Sequence, residues 1–387
     1  MTYDKLEIKT ANKAIRKRTP SVSDSVFGKI LPSTKTQRSL NPLKNRYLRL
    51  FYLFCARFFL YHLQEIQTRT NTQIRTHTMN KLAGTLTFAF LTSALAGSAI
   101  ADTDPMSAPI SPVTDPVNFE SPYHTTEIRM IYLHQNFHDK IDTDLGKLKL
   151  GGEAQLFAIQ ARYAINDRLS LIATKDGYAK YNFDNTLEDQ EGFANLALGV
   201  KYTVYQDQES GFIVTTGFRV EIPTGDDDIY QGEGDGIANP FVSIGKQWNN
   251  FHFMAYEGLR LPFDTDANST FNDMSLHVDY KIGNFYPLVE AHWRHVIADG
   301  DGGEFNGELE GGAEVPVDTI NSGMSGVDLL NLGTSDTQGN NYTNMAFGFR
   351  YKFTETLTMG AAWETRIGKS DDSMFDDRYT FDVIYSF

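Results

Sequence analysis

Glu290, His292 and Arg294 stand two residues apart in a stretch that alternates apolar and polar side chains, so all three share one face of an extended chain. A carboxylate beside an imidazole can pass a proton. With a guanidinium next to them, the same trio serves as a structural ion-pair ladder, which is the simpler reading. The pattern recurs along the chain: Arg129, Arg162, Lys201, Arg219, Arg260, Lys281, Arg350, Lys352, Arg366 and Arg378 fall at alternate positions, with Glu127, Glu221, Asp279, Glu364 and Asp382 among them. Counting the trio, eleven cations face six anions, a basic excess. No phosphate-cradling Gly loop, Cys/His metal cluster or short Ser/His/Asn motif accompanies them. No catalytic residue, metal ligand or cofactor is therefore assigned, an enzyme is not expected, and nothing suggests nucleic-acid binding.

The elements that would carry this ladder are strands. Twelve amphipathic stretches follow one another, at about 125–138, 152–165, 169–183, 193–205, 211–222, 237–248, 251–261, 270–282, 285–297, 341–353, 357–367 and 378–387. Each is near or above the roughly 9 to 11 residues that a tilted strand needs to cross a bilayer. Connectors after even-numbered stretches are short (Asn166 to Arg168, Gln206 to Ser210, Asn249-Asn250, Gly283-Asn284, Thr354 to Thr356). Those after odd-numbered ones are longer and rich in Gly or Asp, above all Ala298 to Asn340. Alternating short and long connectors with an even strand count imply an all-β, transmembrane, antiparallel up-and-down barrel. A soluble sandwich has no reason to alternate in this way. The face opposite the ladder is apolar, as in Met274, Leu276, Val278, Tyr280 and Ile282, and would meet lipid. Aromatics gather beside the short turns, among them Tyr202, Trp248, Phe251, Phe285, Tyr351 and Phe353, where an interfacial girdle belongs.

The ladder then lines the interior, since an Arg or Lys facing lipid at mid-membrane would cost roughly 2 to 4 kcal/mol. Two readings stay open: a polar channel with some preference for anionic or polarisable solutes, or a paired ladder that plugs a narrow barrel. The long connectors are acidic. Ala298 to Asn340 holds nine Asp and Glu and no Lys or Arg. Such loops could hold divalent cations and bridge to lipopolysaccharide, but no stretch has the ordered spacing of an EF-hand loop, and solvated, mutually repelling loops are the simpler reading. Val327 to Leu332 (VDLLNL) is apolar for an exposed loop and is expected to fold inward.

The chain of 387 residues has net charge −14, 13% aromatic residues and one cysteine, Cys55. Residues 1–78 carry a net +11 and 102–387 a net −26, so the chain divides. Met79 to Ala101 has a basic start at Lys81, an apolar run and Ala99-Ile100-Ala101, the order of a cleavable signal peptide for export through the periplasm. Residues 1–78 are read as an over-extended reading frame or a disordered extension. A membrane-attached extension is the competing reading, because Tyr47 to Leu63 is strongly apolar, though broken by Arg49 and Arg57. Residues 102–124, with five prolines up to Pro122, are expected to be a periplasmic lead-in, and 125–387 the barrel.

The last stretch, RYTFDVIYSF, looks like the closing strand of a bacterial outer-membrane barrel. The resemblance implies an assembly signal carried by Tyr385 and Phe387 and read by the barrel-assembly machinery. From about Phe119 onward the chain also resembles outer-membrane transporters of the phenol-degradation meta-pathway type, sometimes labelled porin/alpha-amylase-like. The residues carrying it are Asp115 to Pro122 (DPVNFESP), Ala161 to Leu171 (ARYAINDRLSL) and Glu221 to Lys246 (EIPTGDDDIYQGEGDGIANPFVSIGK). That resemblance implies passive uptake of small, often aromatic or hydrophobic compounds through the outer membrane of a Gram-negative cell. A lipase-like barrel enzyme and a closed structural barrel are the alternatives. Expected partners are outer-membrane lipid, lipopolysaccharide, the assembly machinery and a small solute, with the oligomeric state open.

Overall fold

The computed structural model describes residues 110–387 apart from 144–145, 303–304, 321–322, 324–325, 327–328 and 368–374. The expected extension, the signal peptide and residues 102–109 lie outside the described residues. The chain forms twelve antiparallel barrel positions: β1 (Glu127–Phe137), β2 (Glu153–Asn166), β3 (Leu169–Lys175 with Tyr178–Asn182), β4 (Gln190–Phe193 with Leu196–Asp207), β5 (Phe212–Ile222) and β6 (Ile237–Trp248). These continue into β7 (Phe251–Pro262), β8 (Thr270–Tyr280), β9 (Phe285–Ala298), β10 (Asn341–Lys352), β11 (Leu357–Arg366) and β12 (Phe375–Ser386). Each strand pairs with its sequence neighbours, and β1 pairs with both β2 and β12, which closes the sheet. A closed sheet has no unpaired edge, so every strand's backbone groups are satisfied within the wall.

Period-2 patterning decides what faces where. On β8, Phe271, Asp273, Ser275, His277 and Asp279 are buried, while Met274, Leu276, Val278 and Tyr280 are exposed. The outer wall is an apolar belt in which Leu276 is 55% exposed, Phe347 47% and Phe381 49%. That belt is stable only in contact with hydrocarbon. At the short-turn end the aromatics touch one another, with Phe251 4.7 Å from Tyr280 and Tyr351 4.7 Å from Phe353 between ring centroids.

Two adjacent strands break the alternation at the same level. In β3 the buried residues Ser170, Ile172 and Thr174 are followed at once by buried Lys175. The chain then passes Asp176-Gly177 before resuming with Ala179 and Tyr181 inward. In β4, Ala194 and Asn195 are both buried between the two strand segments. Each irregularity is a bulge that swaps inward and outward parity. Gly177 accommodates it with φ +120°, where a Cβ would meet the Phe157 carbonyl oxygen at 2.5 Å.

The long-loop end holds an apolar cluster. Leu133 and Phe137 of β1, Tyr181 of β3, and Tyr230, Phe305, Ile320, Leu330 and Leu332 from the loops form its buried core. Residues 329–332 of the apolar VDLLNL stretch thus fold inward as expected, while 327–328 are outside the described residues. A small hairpin, 306–309 with 313–316, buttresses the cluster and bridges to the β3–β4 loop through Leu187 and Leu309.

Candidate functional site

Residues 110–124 do not lie outside the barrel as a lead-in would. They are inserted into its interior: Val113, Thr114, Asp115, Phe119 and Glu120 are each at most 1% exposed. The reason is charge. An inward face with excess Arg and Lys is stable only if something anionic or carbonyl-rich fills the space. The segment brings two carboxylates and a row of free carbonyls. It reverses direction at Asp115–Asn118, where Asp115 takes φ +48° and its carbonyl accepts the Phe119 N–H at 2.9 Å. Both limbs lead back toward the short-turn end. Ser111 and Pro112 meet Arg350 near the end of β10, and His124 meets Ser170 and Thr203 at 2.7 Å each.

Each of the main ladder residues finds its partner on this segment. Glu120 binds Arg162 at 2.7 Å and Lys201 at 2.8 Å. Burial alone would raise the Glu120 pKa, but these two cations outweigh it and hold the carboxyl well below the usual carboxylate range. Asp115 receives Arg294 at 2.6 Å, and Arg294 also contacts Asp273 at 3.0 Å. Arg129 donates to the Val113 carbonyl at 2.9 Å and pairs with Asp382, which Arg350 grips at 2.8 Å through both oxygens. Arg219 donates to the carbonyls of Val117 and Asn118 and lies over the rings of Phe241 and Tyr256. Gly360 and Gly245 leave room for the insert: a Cβ at either would come within 2.9 Å of Val113 or of Pro122 and Tyr123.

Glu290 grips the opposite limb, accepting the backbone N–H of Val113 at 2.8 Å and of Thr114 at 2.7 Å. His292 bonds the Thr114 hydroxyl at 2.7 Å and Ser275 at 2.8 Å. From Glu290 a continuous hydrogen-bonded chain runs toward the short-turn end: His277 at 2.7 Å, then Asp279 at 2.9 Å, then His252 at 2.7 Å. The Glu290, His292 and Arg294 trio therefore acts as a ladder, and its partner is the inserted segment. Its geometry could pass a proton along the chain, and the two hydroxyls on His292, of Ser275 and Thr114, are both buried and serve here to hold the insert to the wall.

Other expected ladder members lie elsewhere. Glu221 pairs with Lys175 near the loop end, and Arg260 lies over the Phe271 ring, 5.4 Å from its centroid. Glu364 meets Arg378 at 3.4 Å. Three cations are at the rims and not on the lumen wall. Lys281 is exposed just beyond β8, Lys352 is the half-buried last residue of β10, and Arg366 ends β11 on Asp376 at 2.9 Å. All three were misplaced because alternation says nothing of where a strand stops. Sequence reasoning missed Thr114, Asp115 and Glu120 on the insert, and Lys175 and Asp273 on the wall. The basic excess of the ladder was the signal that anions had to enter from outside the strands. Tyr385 and Phe387 sit on the β12–β1 seam, edge to face at 5.0 Å, with Phe387 N–H on the Thr126 carbonyl at 2.9 Å.

No family model and no curated protein matches this sequence. Among solved structures, the chain is similar to the COG4313 outer membrane channel from Pseudomonas putida F1, with 13% identity and a TM-score of 0.49 over 72% of this chain and 100% of that one. It is also similar to the NanC porin (9% identity, TM-score 0.41, 68% and 100%) and the KdgM porin (10%, 0.36, 67% and 99%). At such identities and scores, the barrel assignment rests on the strand pairing described above.

Proposed function

We propose that this protein is an outer-membrane channel for small solutes in a Gram-negative bacterium, closed at rest by residues 110–124 and conducting when that segment withdraws. The observation that carries this is the way the segment is held. It is bound through side-chain grips on its backbone and two carboxylates, with no strand pairing to the wall, inside a lumen whose walls are charged. A lumen built only for stability would be filled by its own side chains. This one leaves a space as wide as a peptide chain and fills it with a removable piece. Short turns then face the periplasm and long loops the outside.

The finer reading, uptake of small aromatic compounds, is supported by the resemblance to the phenol-degradation type and by the aromatic side chains of Tyr181, Tyr230 and Phe305 gathered at the loop end. Selectivity in the open state would then fall to Arg129, Arg162, Lys201, Arg219 and Arg350, the cations that the insert covers.

The test is single-channel conductance in planar bilayers for the wild type, for a variant lacking Ile110–Asn118, and for one lacking Ala298–Asn340. Rare, small openings in the wild type and large, steady ones without Ile110–Asn118 are expected. Silence in all three sinks the channel reading. Deleting Phe387 tests the outer-membrane assignment, with a fall in the assembled, heat-modifiable fraction on gels expected whatever the solute.

A further inference from the structure

Phe119 and Glu120 are consecutive on the insert, each 1% exposed, and each is seated in a receptor built from wall side chains. The Glu120 carboxylate takes a two-pronged grip from Arg162, Nε–H to Oε1 at 2.9 Å and Nη2–H to Oε2 at 2.7 Å, and a third hydrogen bond from Lys201 Nζ to Oε1 at 2.8 Å. A guanidinium fork with an ammonium beside it matches a carboxylate in both shape and charge. The Phe119 ring packs with Ile172, Phe241, Met254 and Tyr256, its centroid 6.1 Å from that of Tyr256, and stands edge to face with His292 at 6.0 Å.

The two receptors adjoin. Ile172 of β3 stands opposite Arg162 of β2 in the strand register, and Ser170, two residues away on the same face, stands opposite Lys201 of β4. Room for a ligand is set by what already fills the site, a benzyl group beside a carboxylate. Withdrawal of the insert empties both receptors together. Lys201 then loses each of its hydrogen-bond acceptors among the described residues, the Glu120 carboxylate and the Ser121 and Tyr123 carbonyls. Arg162 keeps only longer contacts, to Glu127 and Gln160 at 3.5 Å each. Cations left in this way favour any anion that can take the vacated place, and the apolar slot beside them favours one that carries a ring.

We propose that Phe119 and Glu120 stand where the solute binds, and that the open lumen takes small aromatic carboxylates, with the carboxylate on Arg162 and Lys201 and the ring against Ile172, Phe241 and Tyr256. The site rests on the channel reading and deepens it: it narrows the solute to one with both a ring and a negative charge, and it makes solute and insert competitors for one place. A neutral aromatic lacks the group that the fork holds, and an aliphatic carboxylate lacks the one that fills the slot.

The test uses the full-length chain carrying Phe119→Ala and Glu120→Ala, which vacates both receptors without shortening the insert. 3-Phenylpropanoate is the probe, with 3-phenylpropanol and propanoate as controls. The double substitution should lower the temperature of heat-modified migration, and 3-phenylpropanoate should restore most of that loss at concentrations at least about tenfold below either control. Adding Arg162→Gln should abolish the rescue. In wild-type channels 3-phenylpropanoate should raise the frequency of openings several-fold by competing with the insert, and 3-phenylpropanol should not. Where the double variant fails to assemble, the wild-type openings decide alone. Equal effects of the probe and the alcohol, or a rescue that survives Arg162→Gln, overturn the proposal. Steady conductance in the variant lacking Ile110–Asn118, with no rescue and no added openings from 3-phenylpropanoate, would reject this site and leave the channel standing. Rescue in a protein that is silent in every variant would do the reverse.

Discussion

In the short-turn half of the interior, Glu120 is wedged between Arg162 and Lys201, Asp115 lies on Arg294, and Glu290 grips two backbone N–H groups. At the long-loop end, Leu330 and Leu332 pack with Tyr230, Phe305 and Ile320. Both regions are buried, but they respond to change differently. The first depends on matched charge, so losing one member leaves another buried and unpaired. The second depends on apolar area, which degrades gradually and locally. The difference teaches which closure can be released as a unit: a segment held by a few strong grips can leave all at once, whereas a cluster of interlocked side chains loosens piecemeal.

The sharpest way to break this contrast is to exchange the lesions. Removing Ile110–Asn118 is expected to raise conductance by an order of magnitude or more, and removing residues 329–332 to leave it nearly unchanged. The same change from both would mean that the loop end, too, is a gate. Next in size, Glu120→Ala leaves Arg162 with only the longer Glu127 contact at 3.5 Å and Lys201 with only the Ser121 and Tyr123 carbonyls, and should cost about 3 to 5 kcal/mol of docking or barrel stability, read as a lower temperature of heat-modified migration. Glu120→Gln should cost less. Leu332→Ala should cost about 2 to 5 kcal/mol in the loop cluster, detected as faster proteolysis of the long loop with an unaltered conductance.

A smaller effect is expected from pH. Burial, helped by Lys201 and opposed by Glu120, lowers the His124 pKa to about 4. The neutral ring is the one that docks. Its contribution is fully present above about pH 6.5 and is lost as pH falls toward 4. Openings should therefore become more frequent over that window in the wild type. A His124→Gln variant, which cannot titrate, should lose the dependence. A persistent dependence would move the sensor to the Glu290–His277–Asp279–His252 chain.

Strand count, closure and the lipid-facing belt were legible in the sequence because alternation is local: β5, β8 and β10 each carry five or more side chains in strict register. The inward path of Leu330 and Leu332 was legible for the same reason, an apolar run where water would be the alternative. The insert was not. Residues 110–124 have no period, and their partners lie from 16 residues away, for Val113 on Arg129, to 239 away, for Ser111 on Arg350. Only the excess of cations over anions, eight against six once Lys281, Lys352 and Arg366 are set aside, hinted that the ladder was incomplete. Lys175 was hidden by the bulge between Ala173 and Lys175, since a reader counting by twos through it assigns every later residue of β3 to the wrong side.

Arg129 belongs to β1, Asp382 to β12, and the carbonyl that Arg129 also holds is that of Val113. The seam that closes the cylinder and the grip on the insert therefore share one guanidinium. An assembly intermediate with the seam unzipped would lack that anchor while keeping the Arg162, Lys201 and Arg294 grips, so closure of the wall is expected to strengthen capture of the segment. Slowing either, by Arg129→Lys for instance, should populate half-formed barrels that are both open at the side and more weakly plugged.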